Sequence, residues 1–117
     1  MKFKSHHYRP LPEFLELKES EIHGMGIHTK EDLKAGTYMG VTHIWETNRD
    51  TYIRTPLGGF INHSDNPNCF LNSNSYHPRG EQRELIAIKP IKAGEEITVY
   101  YVWGYDDAEE EEGQLDF

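Results

Sequence analysis

Apolar and polar residues alternate along this chain in short runs, with glycine and proline between the runs. Phe14-Leu15-Glu16-Leu17-Lys18-Glu19-Ser20 alternates as a strand, and Ile27-His28-Thr29-Lys30 returns as a second one after the turn His23-Gly24-Met25-Gly26. Thr37 to Trp45 is rich in β-branched and aromatic residues and predicts a third strand, with Gly40 marking a bulge or a close backbone approach. Residues 46–59 are short and polar around Tyr52-Ile53-Arg54 and end in a turn, Pro56-Leu57-Gly58-Gly59. Leu71 to Gly80 reads as a loop, Glu84 to Lys89 as a strand, and Glu96 to Trp103 as the last strand. Leu33-Lys34-Ala35-Gly36 is echoed by Ile91-Lys92-Ala93-Gly94, each a glycine turn ahead of a strand. No window sustains apolar spacing of 3.6, so no helix longer than about two turns is expected. The pattern predicts a mainly β fold of many short strands.

Composition narrows this picture. The 117 residues suit one domain. The expected organisation is a lead-in over 1–12, a domain over 13–105 and a solvated acidic tail over 106–117. Only 36% of residues are hydrophobic, so the core is small, and pairing into a homodimer is compatible with it. A net charge of −8 argues against direct nucleic-acid binding and suits a basic partner, or simply solubility. The single cysteine, Cys69, excludes an internal disulfide and a cysteine-based zinc cluster, so no metal is expected. No apolar run is long enough to cross a membrane, and the N-terminus has no apolar signal core. These features together predict a soluble protein of a reducing compartment.

Three stretches stand out chemically. Gly24-Met25-Gly26 follows a strand, and glycines there allow positive φ or close approach of a ligand. A lone G-x-G is most often a plain hairpin turn, and without a G-x-G-x-x-G a dinucleotide site is disfavoured. Phe60-Ile61-Asn62-His63-Ser64-Asp65-Asn66-Pro67-Asn68-Cys69 is a dense polar loop opening on two apolar residues. Asn62 and His63 serve either as turn-forming residues or as paired donors and acceptors in a pocket. The third stretch, Gly94-Glu95-Glu96-Ile97-Thr98-Val99-Tyr100-Tyr101, ends in two strand tyrosines on opposite faces; such tyrosines usually pack half-buried.

These stretches resemble, in order, three motifs of SET-domain protein lysine methyltransferases. Ser20 to Ile27 is similar to the opening cofactor loop, Phe60 to Cys69 to the central Asn-His-Ser segment, and Gly94 to Tyr101 to the closing one. The resemblance covers residues 14–105. It implies a SET (β-clip) fold of small sheets with a threaded C-terminal loop. It also implies S-adenosylmethionine as cofactor. Gly24, Met25 and Gly26 would hold its amino-acid end. Asn62 and His63 would contact it, the His largely through its backbone, and Trp103 would stack on adenine unless it is a core residue. Tyr101 falls on the family's catalytic tyrosine. Tyr38 falls on a tyrosine that lines the lysine channel, although Thr37 replaces the acidic residue usual before it. The insert between Ile44 and Gly59 is shorter than is usual, and the zinc-binding cysteines after the domain are absent.

The implied activity is methyl transfer to a lysine ε-amine of a basic or histone-like protein. A chain this compact is similar to viral and bacterial members, which places it in the cytoplasm or, for a virus, the host nucleus. A SET-like module that binds cofactor or peptide with little catalysis is the alternative. An unrelated small β-barrel, with all three motifs as turns, is a third reading. Cofactor binding separates the third from the others, and transfer to a lysine peptide separates the first two.

Overall fold

A computed structural model describes residues 10–74 and 81–101. Trp103 and the acidic run from residue 106 lie outside the described residues. Three small sheets share one core. β1 (Leu15–Glu19) and β2 (Met25–Thr29) form an antiparallel hairpin. The largest sheet is antiparallel in the order β4-β3-β7-β6. Its strands are β3 (Tyr38–Glu46), β4 (Thr51–Arg54), β6 (Cys69–Asn74) and β7 (Gln82–Ala87). β5 (Asn62–His63) pairs in parallel with β8 (Thr98–Val99). One helical turn, α1 (Pro56–Gly59), joins β4 to β5.

The core draws on all three sheets. Leu15 and Ile27 come from the hairpin, Met39, Cys69, Leu85 and Ala87 from the large sheet, and Ile97 and Val99 from the β8 segment. Ile27, Leu85, Ile97 and Val99 are fully buried, and such a side chain stabilises the fold by about 1.5–3 kcal/mol. Cys69 lies among them, and burial pushes its thiol up to about 12. It is a neutral packing group there. Iodoacetamide should therefore leave the native chain unmodified and alkylate Cys69 only once denaturant unfolds it, as read by intact mass.

The echoed glycine turns meet each other. Leu33 and Ile91 form an antiparallel bridge, exchanging N–H···O bonds of 2.7 and 2.9 Å. Gly36 and Gly94 adopt φ of +89° and +93°, where an L side chain is strained. This pairing lays the residues before β8 along the free edge of β2. The Thr29 amide donates to the Glu95 carbonyl, and the Ile97 amide to the Ile27 carbonyl. Glu96 thus faces the turn that joins β1 to β2.

Met25 and Gly26, expected in the turn, are the first residues of β2, paired with Glu19 and Lys18. Other local expectations differ as well. The Asn-rich stretch after Cys69 is strand β6, not loop, because Asn72 and Asn74 both donate across to the Glu84 carboxylate on β7. Pro56 to Gly59 is a helical turn, begun by Pro56 at its first position and capped by the Thr55 hydroxyl. The last strand spans only Thr98–Val99, since its partner β5 is two residues long. The expected bulge at Gly40 is present: the β3–β7 register shifts between Tyr38 and Gly40, with Gly40 at φ +128°.

Candidate functional site

The site starts at the β1–β2 turn. Gly24 closes it at φ +51°, and its carbonyl accepts the Ser20 amide at 2.7 Å. The Ser20 hydroxyl oxygen accepts the amides of Ile22 and His23. With those lone pairs engaged, its own hydrogen goes to the Glu96 carboxylate, at 2.8 Å from Oε1 and 2.9 Å from Oε2. Gly26 faces the same carboxylate, and a Cβ there would stand 2.2 Å from Glu96 Oε2. The glycine's close approach is thus to Glu96, a residue the motif reading passed over. Met25, between the glycines, is 44% exposed.

Asn62 reaches this cluster from β5. Its Nδ2 lies 2.8 Å from Glu96 Oε2, 3.0 Å from Ser20 Oγ, 3.0 Å from the His23 carbonyl and 3.4 Å from the Met25 carbonyl. A carboxylate and two carbonyls can only accept, so they fix the amide with its nitrogen inward. Among the described residues, Oδ1 accepts nothing in return. Asn68 ties down the other end of the polar segment. Its amide donates to the Glu96 carbonyl at 2.8 Å and its Oδ1 accepts the Thr98 amide at 2.9 Å.

His63, next along β5, turns its ring to the C-terminal segment. Its Nδ1 accepts the Tyr101 backbone amide at 3.1 Å, which leaves the hydrogen on Nε2, 3.0 Å from Asp65 Oδ1. Tyr100 packs on the same ring, with centroids 4.8 Å apart, and is half exposed. Tyr101 instead packs against the core, and its hydroxyl donates to the Ile61 carbonyl at 2.7 Å. Burial raises its pKa, partly offset by the Arg54 guanidinium, so the phenol stays protonated. Tyr100 is half exposed and Tyr101 partly buried, but both rings approach His63, at 4.8 and 6.3 Å between centroids, and both residues lie beyond the end of β8.

Gly24, Met25, Gly26, Asn62, His63 and Tyr101 therefore converge around β5 and the hairpin turn. Tyr38 stands at the head of β3, 54% exposed, with its pKa raised by burial and then by the Glu84 charge. The bonds that join the others do not reach it among the described residues. Sequence reasoning missed Ser20, Glu96 and Asn68. The available signal was the Glu95-Glu96 doublet. Glu95 caps its own turn at the Lys92 amide, which leaves Glu96 for the site.

Comparison with known proteins bears on the family and the fold. Residues 44–102 match the model of the SET domain family. The chain belongs to the SET-domain family. It is 29% identical, over an alignment of 125 residues, to the histone-lysine N-methyltransferase MEDEA of Arabidopsis thaliana, across 82% of this chain. The chain spans only 18% of that relative's length. A crystal structure of a Plasmodium falciparum protein, proposed to be a histone methyltransferase, superposes with a TM-score of 0.63 at 18% identity. That match covers 77% of this SET domain and 94% of the other chain. At that identity it supports the mainly β SET fold alone.

Proposed function

We propose that this SET domain is an S-adenosylmethionine-dependent protein lysine N-methyltransferase acting on a basic, lysine-bearing protein. The observation that carries the reading is a pair of anchors on consecutive residues. Tyr101 rests its hydroxyl on the Ile61 carbonyl, and Asn62 fixes the glycine turn. One strand end thus aligns a candidate amine-orienting group with a candidate cofactor-holding cluster. The MEDEA likeness and the net charge of −8 support a basic protein substrate.

The cluster fits the cofactor's amino-acid end. Asn62 Oδ1 is left to accept an ammonium, and Gly24, where a Cβ would meet nothing within 4 Å, leaves its backbone open to a ligand. When bound, S-adenosylmethionine supplies a methyl group on a positively charged sulfonium. The chain's own residues then have two tasks. The amine must be neutral, although free lysine has a pKa of ~10.4. Burial in the channel lowers that value, and the Arg54 charge, whose field reaches Tyr101, acts in the same direction. Tyr101 is protonated and so is no base. Its hydroxyl donates to the Ile61 carbonyl, which holds the oxygen in place as the atom assigned to accept an amine N–H and aim the nitrogen. Tyr38, held largely in solvent, offers a ring for the lysine stem.

The test is mass spectrometry of a basic-protein lysate incubated with the chain and labelled S-adenosylmethionine. Label on lysine is expected. Cofactor binding without transfer would leave the binding-module reading, and no binding would remove both. Asn62→Ala should weaken cofactor binding by about one to two orders of magnitude, because a desolvated partner loses its hydrogen bond. Wild-type affinity by calorimetry would take Asn62 out of the site.

A further inference from the structure

Glu96 is a half-buried carboxylate at the centre of the cluster. Both of its oxygens lie within 2.9 Å of the Ser20 hydroxyl, and Oε2 also receives the Asn62 amide at 2.8 Å. Gly26 presses on it from below, where no side chain larger than hydrogen fits. The carboxylate comes from a segment 76 residues away from Ser20 in sequence, carried along the edge of β2. An ordinary surface glutamate has no such enclosure.

The position has a consequence for Asn62. Its side-chain amide has two possible orientations, differing in which end faces the cofactor side. An acceptor-only carboxylate decides between them, because the opposite orientation sets Oδ1 against Oε2, two lone-pair-bearing atoms at hydrogen-bond distance. Holding Nδ2 on a full negative charge also polarises the amide, which makes Oδ1 a better acceptor. The same charge lies across the Asn62 amide from Oδ1, and it favours a cationic occupant there over a neutral or anionic one.

We infer that Glu96 is a positioning residue for the cofactor's ammonium group: acting through Asn62 and Ser20, it aims Asn62 Oδ1 at that ammonium and selects for its charge. This rests on the cofactor reading above and adds a residue and a selectivity to it. Glu96 itself need not touch the cofactor.

The experiment compares two ligands on the intact chain by calorimetry. One is S-adenosylhomocysteine, and the other is its desamino analogue, with hydrogen in place of the ammonium. Glu96→Gln keeps the size of the side chain and removes its charge. It is expected to weaken S-adenosylhomocysteine about tenfold to a hundredfold, the range for a hydrogen bond to a charged group, and the desamino analogue by no more than about twofold. The KM for S-adenosylmethionine should rise by the same factor while kcat at saturation stays near wild type. Ser20→Ala leaves the carboxylate and removes its second anchor, and it should show the same selectivity at several-fold. It carries the test if Glu96→Gln melts below the assay temperature. Equal losses for both ligands would mean that Glu96 only shapes the turn, and would overturn the inference while leaving the cofactor reading intact. Unchanged affinity for both would overturn it as well. A wild-type chain that binds neither ligand removes the cofactor reading and this inference with it.

Discussion

Tyr101→Phe should lower turnover by about two orders of magnitude or more, the scale of a misplaced reacting group, and leave cofactor affinity near wild type. The hydroxyl donates its hydrogen to the Ile61 carbonyl, and burial keeps the phenol protonated. What the variant loses is an oxygen whose lone pairs orient an amine, a contribution made mainly in the transition state. The ring stays, and so does the backbone amide held by His63. Losing the bond to Ile61 costs about 1 kcal/mol of stability, so melting must be measured alongside turnover. Tyr100→Phe is the control. That ring packs on His63 while half exposed, and removing its hydroxyl should change turnover by no more than about twofold. Loss of activity in Tyr100→Phe alone would exchange the roles of the two tyrosines. Full activity in both would take Tyr101 out of the chemistry.

The sequence carried much of this site because its functional groups cluster in three short stretches. Gly24 reads as a turn because only the left-handed region closes the hairpin there. Asn62 and His63 read as a polar pair, and the structure does turn both inward to bond other segments. Glu96 read only as one of a doublet in the closing motif, without a role. Its partner Ser20 lies 76 residues away, and nothing local distinguishes it from Glu95 beside it. Gly26 read as room for a ligand, but the room is filled by that same carboxylate. Only the pairing of two distant glycine turns, through Leu33 and Ile91, brings the partners together.

The fold was legible where one strand face is apolar and unreadable where pairing is polar. β1 falls where its residues alternate, and β3 where β-branched and aromatic residues concentrate. β6 follows neither rule, since Asn72, Ser73 and Asn74 are turn formers whose strand state comes from Glu84 and Glu81 opposite. The reach of β8 was overestimated for the converse reason. Tyr100 and Tyr101 have strand propensity, but β5 offers only two residues to pair with.

Gly58→Ala should be strongly destabilising. Gly58 is buried in α1, and a Cβ there would meet the Thr42 carbonyl oxygen at 2.2 Å and its carbon at 2.9 Å. Those are backbone atoms of β3, pinned by the Thr55 amide at 2.9 Å, so the strand cannot yield as a flexible side chain would. The turn is also fastened to β3 by the Thr55 hydroxyl, which donates to the Val41 carbonyl at 2.7 Å. Overpacking a fixed backbone contact costs about 3 kcal/mol or more. In a domain this size that lowers Tm by at least about 10 °C. Gly59→Ala tests the geometry against simple loss of glycine. Its Cβ would meet nothing within 4 Å, so the change should be neutral or mildly stabilising. The strain of Gly58→Ala also falls on the site. α1 runs directly into Phe60 and Ile61, whose carbonyl holds the Tyr101 hydroxyl, and then into Asn62. Turnover should therefore fall in Gly58→Ala even at temperatures where it remains folded. An unchanged Tm would mean that α1 lifts from β3 without cost, and equal losses in both alanine variants would make helix backbone freedom, not the contact with Thr42, the cause.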